Sequence, residues 1–488
     1  MSPLKKLFKQ TFIYGLATVL PKMLSFLLLP LYTGILETAG YGEISVIFAW
    51  FAIFNVILAY GMETSFFRFY NGSRDKHKVT STALISILAT TLIFLVLALL
   101  LQSTIANITK IDAMYIKYAI YIIALDALVV VPFAWLRARE KPMRYSLVKI
   151  LNVVINLGLN VFFLLILPKI MANNPDSVLK GLYKPNFEIS YIFISNLIAS
   201  GITLLLMIRL YFRRPYVFGF SLWKKMMKYG LPILVAGIAF TINEVFDRIL
   251  LTELLPESIA DSEVGKYSAC YKLALFMTLF GTAFRMGIEP FFFSHSSSSK
   301  PQLAYAQITN YFVILGSVIL LGVIVFSDVL KVIFIQNKEY WEAMTIVPIV
   351  ILAAFFLGIY HNLSVWYKVT DKTIYGAYIS LIGAILTIII NYALIPEIGY
   401  MASAIATLSA YGSMMFLSYF FGRKYYPVPY NMRKILFYLL VSILFSALSF
   451  YAFNRNLIVG SMLFLLFLGL VYKLENEKLK RIFIKNED

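Results

Sequence analysis

The sequence is short of nearly everything that chemistry in a soluble protein uses. It has one cysteine, Cys270, so a disulfide scaffold is excluded and nothing suggests thiol or redox chemistry. Its three histidines, His77, His295 and His361, show no metal-ligand spacing. No phosphate loop, Walker motif or G-x-S-x-G turn occurs, which argues against ATP as an energy source and against a serine nucleophile. Charged residues fill only 14% of the 488 positions, against about 25% in soluble domains. That deficit excludes a soluble globular chain. Acidic residues are the scarcer sign, 25 Asp+Glu against 43 Lys+Arg, for a formal net charge of +18. A nucleic-acid binder would carry this excess on a polar surface, whereas here it lies between apolar runs.

What is present is hydrophobic: 60% of the residues. The apolar runs are the length of membrane spans, about 20 residues each. They predict fourteen transmembrane helices, near 11–36, 43–62, 79–103, 114–136, 146–168, 188–210, 229–254, 264–288, 305–326, 344–366, 374–394, 400–421, 434–452 and 458–472. The fold class is therefore all-α and polytopic. The alternation of a membrane β-barrel is absent. The first run is too long for a cleavable signal and contains Pro21, Lys22 and Pro30 in place of a small-residue cleavage site.

An even number of spans puts both termini on one side. The termini and even-numbered loops hold thirty Lys and Arg, and the odd-numbered loops hold seven. The positive-inside rule then predicts cytoplasmic N- and C-termini. Divided this way, the charge is +21 inside, −6 outside and +3 within the membrane. Most of the excess is thus an orientation signal, and only the interior +3 bears on function. The loops are short, the longest outer one running from Lys169 to Phe187, which argues against an enzyme with an extramembrane domain.

The chain also repeats itself. Tyr14-Gly15 at the start of the first predicted helix matches Tyr229-Gly230 at the seventh. Gly42-Glu43-Ile44-Ser45 matches Gly265-Lys266-Tyr267-Ser268. Gly61-Met62-Glu63 matches Gly287-Ile288-Glu289. The offsets are 215, 223 and 226. Six helices separate the copies, so the repeat is parallel, a pattern of secondary transporters. It divides the chain into an N-lobe of helices 1–6 (1–210), a C-lobe of helices 7–12 (211–425) and a C-terminal pair, 13 and 14, with a tail (426–488).

In this 6+6+2 plan the sequence resembles the Wzx-type polysaccharide flippases of the MOP superfamily, which move O-antigen and exopolysaccharide repeat units. The residues that carry the resemblance are the Leu-Glu-x-x-Gly-Tyr-Gly stretch from Leu36 to Gly42, and the Gly-x-Glu-x-x-x-x-Arg-x-Tyr segment of Gly61, Glu63, Arg68 and Tyr70, with Glu289 as the repeat copy of Glu63. Relatives in the superfamily include lipid II flippases and MATE drug exporters. The resemblance implies two lobes around a central cavity, alternating access and no catalysis. It implies an undecaprenyl-pyrophosphate-linked oligosaccharide as substrate, and a bacterial inner-membrane location. It also implies work alongside a polysaccharide polymerase and chain-length proteins. The alternative within the superfamily is a cation-coupled multidrug or metabolite exporter.

A charge at a helix centre costs about 2.5–3.5 kcal/mol on insertion scales, so each needs a reason. Lys117, Lys149 and Lys266 lie near predicted helix ends and read as snorkelling side chains. Lys22 lies deeper, on a face with Thr18 and Ser25, and reads either as lining a cavity or as a structural partner of Asp126. The seventh helix carries Asn243, Glu244, Asp247 and Arg248. The spacing predicts two i,i+4 pairs, Glu244 with Arg248 and Asn243 with Asp247. These pairs either lock the lobes together or leave Arg248 to bind an anion, joined by Lys272. The fifth helix carries Asn152, Asn156 and Asn160 on one face, which either hydrogen-bond to neighbouring helices or meet sugar hydroxyls. Lys22, Arg248 and Lys272 are thus the candidates for the substrate's phosphates. No cofactor is called for. Asp126, Glu244 and Asp247 are the candidates for coupling to H+ or Na+. Lys22→Ala and Arg248→Ala are expected to abolish translocation without loss of protein. Pro21, Pro30, Pro132, Pro232, Pro290 and Pro348 mark expected kinks or pivots.

Overall fold

The structure is a computed structural model that describes residues 19–23, 26–212, 216–295 and 301–484, with side chains described for 19–23, 26–212, 216–288 and 301–476. Thr18 and Ser25 lie outside the described residues. Among the described residues every regular element is helical. Twelve helices are long and apolar enough to cross a membrane. They are α2 (Thr38–Gly72), α3 (Lys76–Leu100), α4 (Ala113–Ala138), α5 (Pro142–Asn173), α6 (Glu188–Phe212), α7 (Phe220–Leu254), α9 (Pro301–Val325), α10 (Lys338–Val369), α11 (Ile374–Ile398), α12 (Tyr400–Tyr425), α13 (Met432–Ala452) and α14, whose apolar part is Leu457–Asn476. The other two expected spans are α1, within Val19–Ile35, and α8, which comes in two pieces. Its pieces, Glu257–Tyr271 and Leu275–His295, are joined by a tighter turn over Lys272–Ala274.

Local sequence sets the helix starts. The Asp75 carboxylate accepts from Lys78 N, that of Asp112 from Met114 N, and the Asn431 amide oxygen from Lys434 N, each satisfying an orphan N–H of a first turn. Pro142 opens α5, where its missing N–H costs nothing. The prolines mark the breaks only in part. Pro132 and Pro232 lie inside continuous helices, whereas Pro348 follows the change within α10 from the tighter helix of Lys338–Ile346 to α-helix at Val347. In lipid, a freed carbonyl can find a neighbour, so proline is tolerated there. Irregular turns within the spans fall at Lys272–Ala274, Phe162–Ile166, Lys338–Ile346 and Leu448–Ala452.

The loops sort into two ends, as the expected alternation of spans requires. At one end Glu63 pairs with Arg137 at 2.5 Å, Arg68 lies 4.3 Å over the Tyr229 ring, and Lys434 pairs with Glu475. This is the basic end. At the other end Lys110 pairs with Glu257, the Tyr340 hydroxyl donates to the Leu36 carbonyl at 2.9 Å, and Arg455 meets Asp328 at 3.3 Å.

Helix α2 joins the two halves of the chain. Near the end opposite the basic one it crosses the first piece of α8. A Cβ on Gly42 would overlap the Asp261 carbonyl, and a Cβ on Gly265 would overlap the Thr38 carbonyl. Thr38 and Ser262 hydroxyls bond at 2.7 Å in the same crossing. At the basic end α2 turns through a left-handed pair, Tyr60 and Gly61, with φ of 30° and 69°. Gly61 lies against the Gly230 backbone of α7, so both the dihedral and the contact require glycine. Beside it the Ser65 hydroxyl donates to the Met226 carbonyl at 2.9 Å.

In the second half a buried polar ladder ties α7 to α11 and α12. The Asn243 amide donates to the Ser380 carbonyl at 3.1 Å, and its oxygen accepts from the Thr387 hydroxyl at 2.9 Å. The Tyr411 hydroxyl reaches the Asn243 carbonyl at 3.3 Å. Asn243→Leu would strand the Thr387 and Ser380 groups, at about 1–3 kcal/mol each. We expect a melting temperature in detergent lowered by several degrees. An unchanged one would show that the helices hold without the ladder.

Candidate functional site

Two polar groups of side chains occupy the interior. The first lies among α2, α4, α5 and α6, around a cleft of about 300 Å³ lined by Asn55, Glu63, Asp126, Lys149, Asn152 and Ser200, among others. Asp126 accepts from the Ser200 hydroxyl at 2.7 Å. Asn152 donates to the Thr203 hydroxyl at 2.9 Å. The Lys149 ammonium stands 4.3 Å over the Phe133 ring. Lys149 shares this cleft with Asp126 and with Glu63 of the basic end.

The second group lies where α7 and α8 face α2. The Arg248 guanidinium bonds Asp247 Oδ1 at 2.9 Å and the Glu244 carbonyl at 3.1 Å. Tyr267 donates to Asp247 Oδ2 at 2.5 Å. The guanidinium lies 4.9 Å from the Tyr271 ring centre and 5.8 Å from that of Tyr267. Asp247 is thereby a fixed buried counter-ion, with a side chain 3% exposed, while Arg248 keeps 12%. Glu244 and Lys272 are both exposed, although they lie mid-chain in α7 and α8. Lys272 lies within electrostatic reach of Arg248 and Glu244, and Tyr41 of α2 within reach of Arg248. The exposed Lys272 ammonium and the part-exposed Arg248 guanidinium, with Tyr271 beside it, can meet a polar anion, the fork of Arg matching phosphate oxygens; Asp247 and Glu244 are the carboxylates already beside them, and Tyr41 and Tyr267 are buried.

The expected i,i+4 pairs do not form. Arg248 uses the neighbouring Asp247, whose Oδ1 also accepts from the Arg248 backbone N–H at 2.9 Å. Asn243 turns instead to α11, and Glu244 faces open space. The asparagine face of α5 divides along its length. Asn152 lines the cleft, while Asn160 is buried, accepts from the Tyr32 hydroxyl at 3.0 Å and donates to the Asn156 oxygen at 2.6 Å. Asn156 and Asn160 thus make structural hydrogen bonds.

Lys22 is exposed on α1. It acts electrostatically on His361, whereas Lys272 acts with Arg248 and Glu244. Lys117 is exposed, and Lys266 is held by Glu263 at 3.0 Å and Glu342 at 2.6 Å. Of the motif residues, Gly42 and Gly61 serve close helix contacts, Glu63 pairs with Arg137, and Arg68 stacks on Tyr229. Glu289's side chain lies outside the described residues. The sequence reading missed the tyrosines 41, 267 and 271, which nothing in the pattern separates from the other thirty. No group of three or more His, Cys, Asp or Glu among the described residues is placed to hold a metal ion.

Residues 7–295, more than half of the chain, match the family described as "Polysaccharide biosynthesis protein", and residues 232–393 match MatE. Among solved structures, the lipid II flippase MurJ in an inward closed conformation superposes with a TM-score of 0.73 at 16% identity, covering 95% of this chain and 99% of that one. An inward-facing multidrug resistance MATE family transporter of the MOP superfamily gives 0.63 at 12% identity, over 85% and 94% of the two chains. An outward-facing form of a MATE family transporter gives 0.59 at 13%, over 87% and 96%. No curated protein matches the chain in sequence.

Proposed function

The chain belongs to the family of polysaccharide biosynthesis proteins, and from that premise we propose that it is a flippase for undecaprenyl-pyrophosphate-linked oligosaccharide repeat units. The observation that carries this reading is the exposed Lys272 ammonium within electrostatic reach of the part-exposed Arg248 guanidinium in mid-span. The two cations match an anionic pyrophosphate that takes the place of the nearby Glu244 carboxylate, while the lipid tail stays in the bilayer. In this reading the protein has no catalytic step. The thirty-to-seven bias of Lys and Arg puts both termini in the cytoplasm of a bacterial inner membrane. The basic rim then draws anionic headgroups to the entry side. The lobes, 1–210 and 211–425, rock about the α2–α8 crossing, and 426–488 is an added pair with its tail. Coupling to H+ or Na+ falls to Asp126 or Glu244, since both oxygens of Asp247 are engaged. Polymerase and chain-length proteins would take the product on the far side.

A cation-coupled multidrug exporter is the second reading, favoured by the MatE match alone. Asp247 and Glu244 balance Arg248 and Lys272, so the choice of cargo rests on experiment. Deleting the gene separates the two. We expect surface polysaccharide to disappear and lipid-linked units to accumulate on the cytoplasmic face. Intact surface glycan with raised drug sensitivity would overturn the flippase reading.

A further inference from the structure

The cleft among α2, α4, α5 and α6 has no part in holding the phosphates. Its polar side chains come from matched helix faces. Lys149 and Asn152 line it from α5 at i,i+3, and Asn196, Ser200 and Thr203 from α6 at i,i+4,i+7. Asp126 of α4 faces them, and Asn55 of α2 completes the wall. The cleft reaches the basic end at Glu63, whose side chain is 46% exposed, so it has a way in from that end.

The charges of the lining cancel. Glu63 is already paired with Arg137. That leaves one carboxylate, Asp126, and one ammonium, Lys149, which make no ion pair with each other. Charges inside a membrane are costly, and ones held apart across a cleft point to a ligand between them. Asp126 is fixed by the Ser200 hydroxyl at 2.7 Å. The Lys149 ammonium lies 4.3 Å over the Phe133 ring, and its N–H groups meet no acceptor among the described residues. The part-exposed Asn196 amide is likewise without a partner there. Asn152 spends one N–H on Thr203 and keeps its oxygen for a ligand. An anion entering this cleft would meet Asp126, and a cation would meet Lys149. A neutral ring of hydroxyls suits both, because each hydroxyl donates and accepts, and the amides do the same. A volume of about 300 Å³ is at the lower end of small-molecule sites. It has room for a sugar ring rather than for a whole repeat unit.

We propose that Asn55, Asp126, Lys149, Asn152 and Asn196 form a sugar-binding cleft, which takes a neutral sugar of the repeat unit while the pyrophosphate lies at Arg248 and Lys272. The proposal rests on the flippase reading for the source of the sugar. The two places are separate. Gly42 marks where α2 crosses the piece of α8 that carries Tyr267 and Tyr271. Asn55 lies thirteen residues further along α2, roughly 20 Å at 1.5 Å per residue. They also belong to different halves of the chain, so one substrate held at both bridges the halves. Asp126 then serves the sugar, and coupling falls to Glu244.

The test uses the full chain in lipid nanodiscs, with Asn196→Cys placing a thiol in the cleft; the chain's own Cys270 is buried. Two probes are compared. One is bare undecaprenyl pyrophosphate. The other is the oligosaccharide released by mild acid from the host cell's undecaprenyl-linked repeat units. The free oligosaccharide should slow labelling by an aqueous thiol reagent at least fivefold, and the bare lipid should not. Adding Lys149→Gln and Asn152→Ala should remove that protection, while bare undecaprenyl pyrophosphate binds within twofold of the parent. This second binding shows that the variant is folded. No protection in the Asn196→Cys chain, or the same protection in the triple variant, would overturn the cleft. Slowing by sodium ion alone would give the cleft to coupling and overturn the sugar assignment. Translocation of the intact lipid-linked unit by the wild type in proteoliposomes is read separately. Protection without translocation leaves the sugar cleft standing and the flippase reading fallen. Translocation without protection does the reverse.

Discussion

Arg248→Ala is expected to abolish export of lipid-linked repeat units and, in addition, to destabilise the protein. The sequence alone suggests loss of transport at normal protein levels. The structure changes that, because Arg248 has two tasks. It faces the open space, and it neutralises Asp247, whose side chain is only 3% exposed. Removing the guanidinium leaves a buried carboxylate with Tyr267 and a backbone N–H as partners. Breaking a buried pair in this way costs about 3–5 kcal/mol. The transport role therefore has to be separated from the structural one. The double variant Asp247→Asn, Arg248→Ala removes both charges, so the melting temperature should return close to that of the wild type. Export should stay at background, because the guanidinium that would meet the phosphates beside Lys272 is gone. If export returned together with the melting temperature, Arg248 would be a structural residue and the cationic-site reading would fail. Arg248→Lys keeps the charge and loses the fork, and should export at an intermediate level.

How much of this was legible can be argued residue by residue. Hydrophobic run length gave the fourteen spans, because lipid demands about 20 apolar residues wherever a helix crosses. It could not place the turn at Lys272–Ala274, since a turn of tighter helix leaves the apolar composition unchanged. Arg248 and Lys272 stood out because charge in an apolar run is costly. Their partners did not stand out. Helical spacing favours Glu244 for Arg248, yet the carboxylate one residue away wins, because Asp247 Oδ1 accepts from both the backbone and the side chain of Arg248. The cleft that Lys149 shares with Asp126 did not stand out either, because distance from a helix end does not say what the same face looks into. Lys22 was grouped with Arg248 by charge alone, whereas the fold brings it within electrostatic reach of His361, a residue more than 330 positions away.

Gly42→Ala or Gly265→Ala is expected to part the crossing of α2 and α8 and stop transport. The two positions are the pair related by the 223-residue offset of the internal repeat, and they meet each other in the fold. The would-be Cβ of Gly42 strikes the carbonyl four residues before Gly265, and that of Gly265 strikes the carbonyl four residues before Gly42. The contact is reciprocal, as an axis between two parallel repeats requires. Each obstacle is helix backbone, which cannot rotate away as a side chain would. The cost then exceeds the ~1–3 kcal/mol of ordinary overpacking, and the helices separate instead. A thiol introduced by Ser262→Cys reports the separation, since Ser262 lies against Thr38 in the crossing. The chain's own Cys270 is buried and leaves the background low. We expect an aqueous thiol reagent to label the introduced thiol at least tenfold faster when Gly42→Ala is added, and export to fall below a tenth of the parent. Gly158→Ala, where a Cβ meets nothing within 4 Å, should change neither rate. Equal labelling with and without Gly42→Ala would show that the crossing does not seal this end. The rocking of the lobes would then need another pivot, because a contact that accepts a methyl group without opening cannot be what holds the two repeats together.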